Sequence, residues 1–116
     1  MDYKISDSEY RFMQELWKAE PVKSSELVVI CREQLGWKKS TTYTVIKNLT
    51  NKGVVVNDNT IVSSMVAKEE VVKQESEEFL NRAFDGDIPE MFAAFLKDRK
   101  LSSEEFERIK KIIEEA

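Results

Sequence analysis

A chain of 116 residues, 41% apolar and with a net charge of −4, is large enough for one small domain or for a compact module with a short appendage. It contains no histidine, so the commonest general base and the commonest metal ligand are both missing, and neither a catalytic centre, a metal site nor a cofactor is expected. The single cysteine, Cys31, lacks an internal disulfide partner, and no apolar run has the length of a signal peptide or a membrane span; a reducing, cytoplasmic setting away from the membrane is the expectation.

The first predicted element opens at Ser6-Asp7-Ser8-Glu9, a capping box in which the Ser6 hydroxyl and the Glu9 carboxylate each satisfy an orphan backbone amide. Ile5 precedes the cap as a hydrophobic staple, Phe12, Met13, Leu16 and Trp17 supply the inward stripe, and Pro21 stops the helix by forcing Glu20 out of the α region. A second helix is expected to start at Ser24 or Ser25, with Glu26 in the first turn, where the dipole favours negative charge. Leu27, Ile30, Cys31 and Leu35 form its stripe, and Gly36 closes it. Cys31 within that stripe reads as a small core residue in preference to a redox sensor.

The stretch Trp37–Gly53 follows after a tight glycine-containing connection. Thr42, Val45, Ile46 and Leu49 recur at helical spacing and would seat one face on a core. The other faces carry Tyr43, Thr44, Lys47, Asn48 and Asn51, with Lys38, Lys39, Ser40 and Thr41 at the entrance and no carboxylate anywhere in the stretch. An ordinary solvated face mixes both charge signs. Hydroxyls and lysines that bind phosphates, with asparagines that bond base edges, give this composition a reason: duplex DNA lying against the helix. A plain structural helix with few acids is the alternative, and the preceding short helix and tight turn, which complete a helix-turn-helix, weigh against it. Gly53 ends the helix in the left-handed conformation of a C-terminal cap. Charge distribution agrees, since residues 21–53 hold six basic side chains against two acidic ones while residues 67–116 hold nine against fourteen. A basic contact surface is thus carried on an acidic body.

Beyond Gly53 the period changes. Val54-Val55-Val56-Asn57 and the run from Thr60 to Met65 are β-rich and flank Asp58-Asn59, a pair that tolerates the positive φ of a tight hairpin turn. Three helices and a two-stranded hairpin make a winged helix over residues 1–66. A hairpin tip without Lys or Arg is expected to add little to DNA affinity.

Residues 67–116 return to helix as a separate dimerisation arm, broken at Asp85-Gly86-Asp87 and restarted by Pro89 in a first turn and by a capping box at Ser102-Ser103-Glu104-Glu105. Adjacent Glu104 and Glu105 diverge around the helix, so they belong to the cap and not to acid–base chemistry. The arm carries Val72, Phe79, Ala83, Phe92, Phe95, Leu96, Phe106, Ile109, Ile112 and Ile113. About fifty residues offer little room to bury so many apolar groups alone, and a second copy of the chain is the expected cover. Phe79, Phe92 and Phe95 could line a ligand pocket, but aromatics at helical spacing more often form a core or a subunit interface. The fold class is therefore mainly α: a winged helix-turn-helix followed by a helical dimerisation arm.

Ile5-Ser6-x-x-Glu9-x-x-x-Met13-x-x-Leu16-Trp17 resembles the opening signature of the penicillinase-repressor (BlaI/MecI/CopY) family of bacterial transcriptional repressors. Thr41-Thr42-Tyr43-Thr44-Val45-Ile46-Lys47-Asn48-Leu49-x-x-Lys52-Gly53 is similar to that family's recognition helix, and Asp85-Gly86-Asp87 to its break between C-terminal helices. The resemblance implies a homodimer whose winged helices bind a dyad operator and whose C-terminal helices intertwine. Asn48 stands where members usually have an arginine. Members that control β-lactam resistance are cut by a sensor protease at an Asn-Phe bond in the penultimate helix, and the similar position here is Ala94-Phe95, which sets that partner in question. The cysteine-rich metal hook of the copper-responsive branch has no counterpart. The competing functional class is a winged-helix protein-interaction module without sequence-specific DNA binding, which an acidic chain with a bare wing would also suit; no nucleophile with a base can be assembled for an enzyme.

Overall fold

Residues 4–116 are described by the computed structural model; residues 1–3, with which the expected N-terminal domain begins, lie outside the described residues. Nine elements follow in order: α1 (Asp7–Ala19), β1 (Val22–Lys23), α2 (Ser24–Leu35), α3 (Lys39–Asn51), β2 (Val55–Asp58), β3 (Ile61–Ser64), α4 (Lys68–Phe84), α5 (Ile88–Leu96) and α6 (Ser103–Glu115). They fall into two units, Met1–Glu75 and Ser76–Ala116.

In the first unit the predicted stripes converge. Phe12, Met13 and Leu16 of α1, Leu27 and Cys31 of α2, and Val45, Ile46 and Leu49 of α3 are buried together with Val22, Val54, Val55, Val62, Val66 and Val71. The capping box at Ser6 is formed in both directions, and Glu20 ends α1 in an extended conformation, as the following proline requires. Trp37, in the turn after Gly36 (φ +70), stacks on Phe12 with ring centroids 6.3 Å apart, so the α2–α3 connection is pinned to the floor of the core. Val71 carries the first part of α4 into the same core.

Two details differ from expectation. The sheet has three strands in the order β1-β3-β2, because Val22 and Lys23 pair antiparallel with Val62 and Ile61. The hairpin turn is Asn59-Thr60 (φ +50 and +71), and Asp58 is the last paired residue of β2, opposite Ile61. Register explains the shift: Val55 and Val62 both face the core, and moving the pairing by one residue would expose them. α2 starts at Ser24, one of the two expected positions, with no side-chain cap. Its N-cap is Lys23, and the Ser24 amide donates to the Thr60 carbonyl at 2.8 Å. The wing tip thereby satisfies an orphan amide of the helix start. A second tie runs from Glu20, whose carboxylate accepts from the Ser64 amide at 2.7 Å and the Ser64 hydroxyl at 2.8 Å.

In the second unit, Asp85 (φ +50) and Gly86 (φ +80) end α4. The Asp87 side chain caps α5 by accepting from the Glu90 amide at 3.0 Å, with proline in the first turn. Ser102 and Glu105 form the predicted box on α6. The rings of Phe79, Phe84 and Phe95 lie about each other at centroid distances of 5.8 to 6.3 Å. No residue of α5 or α6 is buried.

Thr60 is a β-branched residue in the left-handed region, a placement that costs an L-residue about 1–2 kcal/mol. Thr60→Gly creates the Asn-Gly pair that such a turn favours, and it is expected to stabilise the protein by about 1 kcal/mol in urea denaturation, net of the entropy glycine loses on folding.

Candidate nucleic-acid interface

α3 is held from one side. Thr42, Val45, Ile46 and Leu49 are all buried, and the Thr42 hydroxyl is accommodated by the Lys38 carbonyl one turn back, at 3.5 Å. Cys31 lies beside this seat. Burial pushes its thiol above the ordinary range, the Thr42 hydroxyl pulls the other way and the Glu15 charge adds to the rise, so the sulfur stays protonated as a core residue.

The opposite side of α3 is open. Lys38, Lys39, Ser40, Thr41, Tyr43, Thr44, Lys47, Asn48 and Asn51 are all exposed. They run in two adjoining rows at i, i+4 spacing: Lys39, Tyr43 and Lys47 along one, and Ser40, Thr44 and Asn48 along the other, with Asn51 completing the surface. Lys38 is the N-cap, no side chain caps the helix start, and the first turn holds no acid. Backbone amides, the positive end of the helix dipole and two lysines therefore gather at one end. The Lys39 ammonium sits 5.9 Å from the centre of the Tyr43 ring, a cation–π contact within the first row. Among the described residues, no carboxylate pairs with Lys38, Lys39 or Lys47.

Two features of the surface were not visible in the sequence. A groove of about 450 Å³ runs along its flank, where Asn48, Asn51 and Val45 of α3 face Ser6, Ser8 and Glu9 of α1. At its end Lys52 is engaged internally: its ammonium lies 2.6 Å from the Glu9 carboxylate and donates to the Lys4 carbonyl at 2.9 Å. Of the basic residues counted in 21–53, Lys52 is thus not available as a free surface charge. Forty-three positions separate the partners, and no local pattern links them.

The residues assigned to subunit contact are likewise placed outward. Val72, Phe79, Ala83, Phe95, Phe106, Ile112 and Ile113 are exposed, while Phe92, Leu96 and Ile109 are half-buried. Ile112 and Ile113 are 66% and 63% exposed. No helix among the described residues is long and apolar enough to cross a membrane, and no group of three or more Cys, Asp or Glu among them could hold a metal ion.

The family model described as penicillinase repressor matches residues 5–115. The penicillinase repressor of Bacillus licheniformis is 26% identical over 116 residues, covering 97% of this chain and 91% of that protein. The methicillin resistance regulatory protein MecI of Staphylococcus aureus is 26% identical over 115 residues, covering 96% and 94%. MecI of Mammaliicoccus sciuri is 25% identical over 115 residues, with the same coverage of 96% and 94%. A match along nearly the whole length, on a winged helix followed by further helices, places the chain in the penicillinase repressor family, whose members are transcriptional repressors and not enzymes.

Proposed function

We propose that this repressor binds a dyad operator in duplex DNA as a homodimer, with α3 in the major groove, and represses by occluding a promoter. The carboxylate-free exposed side of α3 carries the reading. Lys38, Lys39, Ser40 and Thr41 would hold backbone phosphates at the helix start, leaving Thr44, Lys47, Asn48 and Tyr43 to face bases and Asn51 to follow along the groove. The wing contributes little, because its tip is Asn59-Thr60 beside Asp58, without a cation. Dimerisation assigns a cover to the apolar side chains of α4, α5 and α6 that a single chain leaves outside, and it supplies the two-fold axis that a dyad requires. The first unit would then bind DNA while the helices after the wing join the subunits. Cleavage by a sensor protease is not part of the proposal, since the residue before Phe95 is Ala94.

A duplex enriched from a random pool by the wild-type protein provides the probe. Lys39→Ala is expected to weaken binding and to lower the slope of log affinity against log salt by about 0.9 for its lost phosphate contact, and Lys47→Ala to weaken binding and relax the preference for the enriched sequence. Unchanged binding in both would remove these α3 lysines from the DNA contact, and a wild-type protein that enriches no duplex would favour a protein-interaction module. In sedimentation equilibrium, Phe95→Asp is expected to halve the mass while the far-ultraviolet spectrum stays helical, since Phe95 is 49% exposed in one chain; an intact dimer would remove Phe95 from the interface.

A further inference from the structure

We infer that Lys52 is a positioning residue for α3 and not a phosphate contact: with Glu9 it locks the far end of the DNA-reading helix to the N-terminus of α1. This rests on the DNA-binding reading above. Lys52 is the C-cap of α3. Its ammonium is 2.6 Å from Glu9 Oε1, and that same oxygen accepts from the Ser6 amide at 2.9 Å. One carboxylate oxygen thus joins the first turn of α1 to the last turn of α3. The Glu9 side chain is 7% exposed and the Lys52 side chain 41%, so the acid is nearly enclosed and the cation closes the opening. Burial alone would raise the Glu9 carboxyl; the Lys52 ammonium and the Ser6 amide and hydroxyl together outweigh it and hold the group below the ordinary carboxylate range.

The consequence for DNA is geometric. Asn48 and Asn51 precede the lock on α3 and line the groove whose other wall is Ser6, Ser8 and Glu9. Hydrophobic seating by Val45, Ile46 and Leu49 fixes which side of α3 faces the core but resists sliding and fraying at the last turn weakly, because apolar contact is not directional. A short charge-assisted bond supplies direction at that end. A lysine committed inward in this way neutralises no phosphate.

Two variants separate this role from a phosphate contact. Lys52→Met removes the cation. Glu9→Gln removes the opposing charge but leaves a side chain able to complete the capping box. In amide hydrogen exchange on the free protein, both are expected to speed exchange at Asn48–Lys52 by about tenfold relative to α2, the size of a charge-assisted hydrogen bond to a nearly enclosed carboxylate. On the enriched duplex both are expected to bind about tenfold more weakly, with the salt slope of the wild type, whereas loss of a phosphate contact would lower it by about 0.9. Lys52→Arg should restore both properties. Exchange unchanged in both variants, or a reduced salt slope in Lys52→Met, would overturn the assignment. If the wild-type protein enriches no duplex while exchange still rises, the DNA reading fails and the lock between the helices stands.

Discussion

Everything in the first unit depends on α3 being seated by one stripe alone. Burying a Val, Ile or Leu side chain is worth about 1.5–3 kcal/mol, and α3 commits Val45, Ile46 and Leu49 to the core, with Thr42 between them and its hydroxyl bonded within the helix. Exposed charged contacts contribute at most about 1 kcal/mol each. Stability therefore asks nothing of Lys39, Lys47, Asn48 or Asn51. Their side chains are left to be chosen for another purpose, and the absence of any acid on that helix is the mark of the choice.

A helix seated by apolar contact must still be held in place for a partner to read it. The molecule does this at both ends. At the entrance, Trp37 stacks on Phe12 and fixes the turn that delivers Lys38 and Lys39. At the exit, Gly53 (φ +78) turns the chain sharply into the hairpin, and Val54 donates back to the Leu49 carbonyl at 3.0 Å. The hairpin is in turn bolted to the start of α2 through β1 and through the Thr60 carbonyl. In this arrangement the wing is a brace for the helix-turn-helix. That role needs no cation at the tip.

Much of this was legible in the sequence because it is written in local patterns. Both capping boxes, the stripes of α1 to α3, the glycine closures at Gly36 and Gly53, and the Asp85-Gly86 break depend on residues within a turn or two of one another. The outward placement of eight α3 residues, with Lys38 at the N-cap before them, follows from the same helical period that buries its stripe. What escaped depends on pairing across the chain. β1 has only two residues, too few to show an alternation, and exists because β3 lies beside it. The turn falls at Asn59-Thr60 because distant core contacts fix the register against local preference. Likewise, Lys52 looked like one more surface cation until its partner on α1 was known. Among the apolar residues of α4 to α6, Val71 joins the core of the first unit, while the ten assigned to subunit contact are exposed or half-buried in one chain.

The most direct test of α3 as the DNA-reading surface is to map, by backbone amide chemical shifts, where an enriched duplex touches the protein. Changes concentrated at the exposed positions from Lys39 to Asn51, with Asn59 and Thr60 almost unmoved, are the expected result. Changes confined to the wing or to the helices after it, with α3 silent, would contradict the central claim.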